Sequence, residues 1–336
     1  ADQGSFLLTA FGEPLITEAG WSHYYNDPYY ATFFTQAIGH NTVLVDGDPE
    51  SQSIADTPQF AALKAYPKIN DAIASEFYDA VGGDLTTVYQ GLLERYTRRI
   101  VFVKPHYFVV FDDLAANGEP AKFDWLLHLP DRSRLVTSSD LAVYRGDKAS
   151  LAVKSLAPVA AAFTARDGHA PYATFAAGAP KTVPTQPAFL DLQTAQPARA
   201  AQFLVALAPA RTGEAARAIA DQMTSISGAG FAGVRAERGA ERDLVLFRSG
   251  SASEPLRYED YATDAVAWTV TQIGARLKLF AAQHARSFAR AGRHLLASDT
   301  AVSFAASYGE NTVEAVCDAA SQTTLRLFTG AKPLRA

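Results

Sequence analysis

The sequence is poor in cysteine, in methionine and in charge. Its 336 residues include one Cys and one Met, and charged residues make up only 19% of the chain. A single thiol, Cys317, excludes an internal disulfide and a zinc site built from several cysteines. Hydrophobic residues make up 48%, which is far more than a disordered chain contains. The sequence therefore predicts a folded protein that is stabilised by a hydrophobic core.

The sequence also lacks a basic excess and a long apolar run. The 30 Lys and Arg residues are outnumbered by 35 Asp and Glu residues, which gives a formal net charge of -5. Nucleic-acid-binding proteins usually carry a basic patch, so this balance argues against that class. No stretch approaches the roughly 18 consecutive apolar residues of a membrane-spanning helix. We therefore expect neither a nucleic acid nor a membrane as a partner.

The first residue is Ala1 rather than an initiator Met, and the residues that follow already have the pattern of a strand. Apolar residues at 6–8 and 10–11 precede the turn-forming tripeptide Gly12-Glu13-Pro14. We therefore expect a processed chain or a fragment of a longer protein.

Short apolar runs separated by turn residues dominate the rest of the sequence. Residues 98–113, RRIVFVKPHYFVVFDD, predict a hairpin of two buried strands that are joined at Lys104-Pro105-His106. Only residues 214–224 have a clear helical period. Further strands are predicted at 5–11, 42–46, 123–129, 201–207, 242–248, 265–273, 275–282, 301–308 and 323–328.

These patterns predict an all-β protein with two parts. Residues 1–230 are expected to form a large antiparallel β-sandwich, and residues 231–336 a smaller antiparallel β domain. The boundary between them is placed at the glycine-rich stretch 227–230, because such stretches are typical of connections.

Aromatic residues and histidines are concentrated in residues 21–40, WSHYYNDPYYATFFTQAIGH. Tyr24 and Tyr25 precede the turn Asn26-Asp27-Pro28, and loops held by a sheet are common places for binding residues. Tyr rings also fill the cores of many β-proteins, so this segment fits a core or a binding loop.

Glu18 ends an apolar run, and His40 stands at the entry to a predicted strand. A carboxylate in an apolar run is costly unless it is paired, protonated or bound to a cation. Zinc accepts imidazole and carboxylate ligands, but two ligands do not complete a tetrahedral site. The residues alone therefore fit a metal site that lacks its third ligand or a hydrogen-bonded structural pair.

Three further residues are candidates for substrate binding. Arg98 and Arg99 open a predicted buried strand, where either could pair with Asp112 or Asp113, or could bind a substrate carboxylate in bidentate geometry. His128 lies inside an apolar strand and fits a hydrogen-bonded residue on one sheet face or a residue of a cleft.

Several pieces of the sequence resemble the heparinase II/III-like polysaccharide lyases. The resemblance extends over most of residues 1–210, and HNTVLVDG is its most specific part. The matching pieces are ADQGSF at 1–6, FGEPL at 11–15, GHNTVLVDG at 39–47, YTRRIVFVKPHYFVVFDD at 96–113 and FDWLLHL at 123–129.

The resemblance implies an enzyme that cleaves acidic, uronate-containing polysaccharides or oligosaccharides by β-elimination. Members of this family pair the β-sandwich with an N-terminal α/α toroid, which is absent from this chain, and the substrate lies between the two. A periplasmic or secreted location is typical of them.

The resemblance also implies a zinc ion that is held by a His, an acidic residue and a second His. The second His corresponds to His40 and the acidic ligand to Glu18, although many members have Asp at that position. The first His would stand just before Ala1. The catalytic Tyr of the family corresponds best to Tyr25, with Tyr24 as the alternative.

Three functions are compatible with these observations. The overall similarity favours an oligoalginate-type lyase, and a lyase of heparin, heparan or chondroitin is the alternative within the same chemistry. A non-catalytic carbohydrate-binding or structural β module is the third possibility. The sequence upstream of Ala1 would discriminate between the enzyme and the module.

Overall fold

The computed structural model describes residues 2–20, 22, 27–52, 67–89, 91–159, 161–170, 186–250 and 254–328. Within these ranges strands dominate, which confirms the predicted all-β class. In the described part of the chain one α-helix, α1, extends over Gly213–Asp221 and confirms the helix predicted at 214–224. No helix in the described ranges is long and apolar enough to cross a membrane.

Twenty-four strands are numbered in chain order. They are β1 Leu8–Ala10, β2 Glu13–Ile16, β3 Val43–Val45, β4 Lys68–Ala74, β5 Tyr78–Asp84, β6 Leu93–Val103, β7 Tyr107–Ala116, β8 Phe123–Leu129, β9 Leu135–Ser138, β10 Leu141–Arg145, β11 Ser150–Ala157, β12 Phe163–Asp167, β13 Ala188–Gln193, β14 Ala200–Ala210, β15 Met223–Gly228, β16 Phe231–Arg238, β17 Glu241–Arg248, β18 Leu256–Tyr258, β19 Tyr261–Thr263, β20 Ala267–Ile273, β21 Arg276–Arg290, β22 Arg293–Tyr308, β23 Val313–Ala319 and β24 Leu325–Leu327. Single helical turns lie at Tyr30–Phe34, Ala37–Gly39, Thr86–Tyr89 and Arg132–Arg134.

The chain divides into two compact units. The first contains Ala1–Lys68, Gly83–Arg98 and Val110–Ala220, and the second contains Ile69–Gly82, Arg99–Val109 and Asp221–Ala336. The division passes through β6 and β7, so each unit includes part of both strands. Residues 227–230, where we placed the predicted boundary, lie at the turn of the β15–β16 hairpin.

The first unit is built from two larger sheets and the small β1–β2 hairpin. One is the β6, β7, β14, β11, β10, β9 part of an eight-stranded sheet, and the other is a four-stranded sheet with the order β12, β13, β8, β3. In the four-stranded sheet every neighbouring pair is antiparallel. The two sheets form the predicted sandwich.

Strand β8 lies inside the four-stranded sheet and its side chains alternate between two buried faces. Trp125 on one face donates a hydrogen bond from Nε1 to Oδ2 of Asp112 on β7, at 2.8 Å, which marks the interior of the sandwich. Leu126 on the opposite face packs with Phe33, Phe34 and Phe189. The outer face of this sheet is therefore covered by the segment that contains the helical turn Tyr30–Phe34.

The second unit is dominated by a ten-stranded antiparallel sheet. Its main order is β15, β16, β17, β20, β21, β19, β18, and β22 extends it by pairing with β21, β23 and β24. Its core includes Trp268, Phe280, Phe288 and Phe304. This unit also contains most of β4 and β5, together with the Arg99–Val109 parts of β6 and β7.

Candidate active site

Glu18 and His40 face each other in the first unit. Thr17 donates a backbone hydrogen bond to the carbonyl of His128 at 3.1 Å, and Ala19 donates one to the carbonyl of Gly39 at 3.0 Å. These two bonds flank Glu18 and place its Oε1 3.3 Å from Nδ1 of His40. The structure thus brings the two predicted metal ligands together, with the Glu18 side chain 28% exposed and the His40 side chain 10% exposed.

Glycine at position 39 permits the approach of His40. A Cβ atom on Gly39 would lie 2.5 Å from the carbonyl oxygen of Phe33, which no side chain tolerates without a shift of the backbone. The helical turn Ala37–Gly39 therefore packs directly on the turn Tyr30–Phe34, and the chain leaves it in an extended conformation at His40. The residue before the HNT sequence thus has a steric role.

The Glu18 carboxylate is kept ionised by its neighbours. Burial alone would raise its pKa, but contacts with His40 and Ser5, together with the nearby His128, outweigh that cost and lower the pKa. The site therefore presents a carboxylate beside an imidazole, and Nδ1 of His40 is a buried atom that has no partner besides Glu18 in the described part of the chain.

His128 lies next to this pair in a buried position. It is 1% exposed, and its ring stacks on Phe189 with 5.2 Å between centroids. Burial, followed by the nearby His40, lowers its pKa to about 3. His128 is therefore a neutral imidazole at physiological pH, and it cannot attract a substrate carboxylate as a cation.

One side of the His128 ring is partnered and the other is not. Nδ1 lies 3.2 Å from Oδ1 of Asn41, which also accepts the backbone N–H of His128 at 2.6 Å. Nε2 meets no group of the described residues with hydrogen-bond geometry, although the Ile38 carbonyl is near enough to favour the protonated ring slightly. Sequence reasoning did not single out Asn41.

Arg98 makes an internal ion pair rather than facing solvent. Its Nε and Nη2 atoms donate to the two carboxylate oxygens of Asp112, both at 2.7 Å. Nη1 donates to the carbonyl oxygens of Gly4 at 2.7 Å and Asn41 at 2.6 Å. Since Arg98 is only 4% exposed, this geometry favours the pairing with Asp112 over contact with a substrate.

Arg99 belongs to the second unit and is also paired. Its Nη1 donates to both carboxylate oxygens of Asp71 at 2.9 Å, and its side chain is 13% exposed. Asp71 also accepts a hydrogen bond from Nε2 of Gln283 at 2.8 Å. This geometry likewise favours a structural role for Arg99.

The predicted catalytic residues Tyr24 and Tyr25 lie outside the described residues, so their role stays a prediction. Two aromatic residues of the same segment, Tyr29 and Phe33, are described and contact His169. Tyr29 stacks on His169 with 3.5 Å between ring centroids, and Phe33 meets the same His169 ring edge-on at 4.8 Å.

Comparison with known proteins identifies the family. The profile described as Heparinase II/III-like, C-terminal, matches residues 1–224. The chain belongs to the heparinase II/III-like family. This result confirms the resemblance carried by the HNTVLVDG sequence and its neighbours. A search of curated proteins found no match.

Solved structures support the heparinase II/III-like fold. The heparan sulfate lyase HepC from Pedobacter heparinus matches with a TM-score of 0.56 and 15% identity. A heparinase III matches with a TM-score of 0.54 and 17% identity. In each case the match covers 74% of this chain but only 36% of the solved chain, so this chain corresponds to about a third of those proteins.

The zinc ion implied by the heparinase II/III-like family fits the Glu18–His40 pair. Ligand atoms about 2.0–2.1 Å from a tetrahedral zinc ion are separated by about 3.3 Å. The observed separation of Oε1 and Nδ1 is 3.3 Å, and Nδ1 is a buried atom without another partner in the described part of the chain. The described residues contain no group of three His, Cys, Asp or Glu side chains that could hold a metal. The pair therefore fits two positions of such a site.

Proposed function

We propose that this chain is the β-sandwich part of a lyase that cleaves uronate-containing glycosaminoglycans of the heparan sulfate class by β-elimination. The observation that carries the proposal is the facing pair Glu18 and His40, held 3.3 Å apart within the region that matches the family. The solved chains that this fold resembles bear the names heparan sulfate lyase and heparinase III, which favours a glycosaminoglycan over alginate.

β-Elimination requires three events at the uronate ring. A base removes the proton at C5, the neighbouring carboxylate is neutralised, and an acid protonates the leaving glycosidic oxygen. We assign the proton steps to Tyr25, with Tyr24 as the alternative. A neutral His128 is suited to accept a hydrogen bond through Nε2, rather than to attract the carboxylate.

We further propose that Glu18 and His40 hold a zinc ion. A bound zinc ion supplies positive charge that polarises nearby oxygen atoms. The lowered pKa of Glu18 keeps its carboxylate ionised, which is the state that a zinc ligand requires. Arg98 is not one of the proposed zinc ligands. It supports the site by donating a hydrogen bond to the carbonyl of Asn41, the residue after His40.

The proposal is tested with the full-length protein and three polymers: heparan sulfate, chondroitin sulfate and alginate. Each cleavage by β-elimination leaves an unsaturated uronate, which absorbs ultraviolet light. We expect absorbance to rise with heparan sulfate. A rise with alginate alone would show that the substrate is alginate rather than heparan sulfate. No rise with any uronate polymer would reject the lyase in favour of a binding module.

The catalytic assignment is tested by Tyr25→Phe, with Tyr24→Phe as its matched control. Loss of turnover in the first variant alone, with an unchanged thermal unfolding curve, supports Tyr25 as the proton-transfer residue. Full activity in Tyr25→Phe and loss in Tyr24→Phe would transfer the role to Tyr24.

A further inference from the structure

Asn41 is buried at the centre of the candidate site, and each of its polar atoms makes a specific contact. It is 0% exposed. Its backbone N–H donates to Oγ of Ser5 at 3.1 Å, and its carbonyl accepts from Nη1 of Arg98 at 2.6 Å. A residue of this kind has no free capacity to bind a ligand, so its effect on the site must pass through its neighbours.

The side-chain amide of Asn41 connects three separate segments of the first unit. Nδ2 donates to the carbonyl oxygens of Phe6 and Thr17, both at 2.7 Å, and Oδ1 accepts the backbone N–H of His128 at 2.6 Å. Two carbonyl oxygens can face only the NH₂ group, and a backbone N–H can face only the oxygen. The orientation of the amide is therefore fixed from both ends.

The bond to Thr17 bears directly on Glu18, because Thr17 is the preceding residue. The backbone N–H of Thr17 is held by the carbonyl of His128, and its carbonyl is held by Asn41. Both polar backbone atoms next to Glu18 are thereby fixed on its N-terminal side. Asn41 itself follows His40, so one side chain couples the positions of both facing residues.

The amide orientation also determines which ring nitrogen of His128 carries the proton. Oδ1 of Asn41 is only an acceptor, so the contact with Nδ1 at 3.2 Å requires a proton on Nδ1. The neutral ring then carries a lone pair on Nε2, the atom that has no hydrogen-bond partner among the described residues. A partner on one imidazole nitrogen sets the role of the other in many sites.

We propose that Asn41 is the positioning residue of this site: it holds the Glu18 segment opposite His40, and it fixes His128 in the Nδ1–H tautomer so that the Nε2 lone pair is free. The role in metal binding rests on the proposed function, whereas the tautomer does not. The two parts are therefore measured separately.

The tautomer is measured by NMR on the 336-residue chain with ¹⁵N-labelled histidine, at neutral pH and without metal. Seven histidines give a tractable spectrum, and His128→Gln identifies the signals of His128. We expect a protonated Nδ1 and an unprotonated Nε2 in the wild type, and a shift toward the Nε2–H form in Asn41→Ala. A wild-type His128 with a protonated Nε2 would overturn the proposal without any variant having to fold.

The holding of Glu18 is measured with Asn41→Asp, which keeps Oδ1 but replaces the donor Nδ2 by an oxygen that faces the carbonyls of Phe6 and Thr17. We expect this variant to keep the Nδ1–H tautomer and to bind zinc at least 10-fold more weakly than the wild-type full-length protein, in competition with a chromophoric chelator. Unchanged zinc affinity in Asn41→Asp would overturn this part of the proposal.

Gln52→Glu is the matched control for a lost amide donor. Gln52 is 1% exposed, and its Nε2 donates to the carbonyl of Gln3 and to Oγ1 of Thr42, both at 2.8 Å. Gln52→Glu should lower the free energy of unfolding as Asn41→Asp does, while its zinc affinity stays within a factor of about two of the wild-type value. An equal loss of affinity in both variants would reduce the effect to general destabilisation and refute positioning. If the wild type binds no zinc but has the expected tautomer, the metal proposal fails and the tautomer assignment stands.

Discussion

The two compact units each contain a buried polar cluster, and the clusters differ in what they leave unpaired. In the second unit, Asp243 accepts hydrogen bonds from Arg238 at 2.7 and 3.1 Å, from Tyr107 at 2.9 Å and from Thr271 at 2.7 Å. Both carboxylate oxygens are used twice. Burial and the Asp243 charge hold the pKa of Tyr107 well above its usual range, so this cluster is a closed structural unit.

In the first unit the cluster around Asn41 is closed at its centre and open at its rim. Asn41 has all its polar atoms engaged, whereas in the described part of the chain Nδ1 of His40 has no partner besides Glu18 and Nε2 of His128 has none with hydrogen-bond geometry. Buried polar atoms without good partners are costly. We therefore expect the Asp243 cluster to contribute to stability alone and the Asn41 cluster to contribute to the proposed site as well.

Removal of Asp243 should have the largest effect on stability. Asp243→Ala leaves the Arg238 guanidinium with Glu241 as its remaining charge partner and removes the acceptor of the Tyr107 and Thr271 hydroxyls, so we expect a loss of about 3–5 kcal/mol in the free energy of unfolding. Urea unfolding measures the loss. As a control, Asp260→Ala removes the more exposed pair with Arg290 and should cost less than about 1 kcal/mol. Equal small losses in both variants would contradict the structural role of the Asp243 cluster.

Asp112→Ala sharpens the same comparison in the first unit. It leaves Arg98 and the indole N–H of Trp125 without their acceptor, so we expect a loss of about 3–4 kcal/mol. Because Arg98 also holds the carbonyl of Asn41, glycan cleavage per folded molecule should fall as well, whereas Asp243→Ala should preserve it. Activity and unfolding are measured on the same samples. Full activity in Asp112→Ala would separate this ion pair from the site.

The local sequence pattern predicted the strands whose own residues form a clear apolar run between turn residues. Strand β8 was expected at 123–129 and is found at Phe123–Leu129, because a largely apolar run ends at the turn-forming Pro130. Strand β22 was expected only at 301–308 but begins at Arg293. Its first half, RHLLASDT, has only a short apolar stretch between charged and polar residues, and pairing with β21 and β24 provides the support that the local sequence lacks.

The same distinction applies to the site. Glu18 and His40 were expected to converge, and they do, because each follows a recognisable turn or apolar run. Asn41 was not identified, since its importance arises from bonds to Phe6, Thr17 and His128, which are distant in sequence. One signal was present: an amide followed by a hydroxyl at the entry to a fully buried strand must have internal partners.

Glu18 should matter for function much more than for folding, and Glu13 should show the reverse. Glu18→Gln removes the ligand that faces His40, so we expect cleavage of the glycan to fall by at least about 100-fold with less than about 1 kcal/mol lost in stability. Glu13 accepts backbone hydrogen bonds from Asp147, Lys148 and Ala149 at 2.6–2.8 Å.

Glu13→Gln is thus the matched substitution, and it should cost about 1–2 kcal/mol of stability while activity persists. The initial rate of cleavage and the midpoint of urea unfolding are compared for the two variants. A stable, fully active Glu18→Gln protein would remove Glu18 from the proposed site.

The smallest expected effect is a pH dependence on the outer face of the four-stranded sheet. Burial and then the nearby Asp191 raise the pKa of Asp124 from 3.8 to about 6, against the opposing charges of Arg166 and Lys122. A raised pKa means that the folded protein favours the protonated carboxyl. The contribution of Asp124 to stability is therefore fully present below pH 3.8 and is lost as the pH rises through about 6.

Asp124→Asn removes this titration while it keeps the size of the side chain. We expect the variant to gain stability relative to the wild type by about 1 kcal/mol between pH 4 and pH 7, as the buried charge of Asp124 develops only in the wild type. Thermal unfolding of both proteins across that range measures the difference. Asp46→Asn is a suitable control, because it also replaces a carboxylate near Asp124 by an amide and keeps an Oδ1 atom that can accept the backbone N–H of Lys122, a bond of 2.8 Å, so we expect a smaller pH-dependent gain than for Asp124→Asn. A stability difference for Asp124→Asn that stays constant with pH would show that the Asp124 carboxyl titrates as an ordinary surface group.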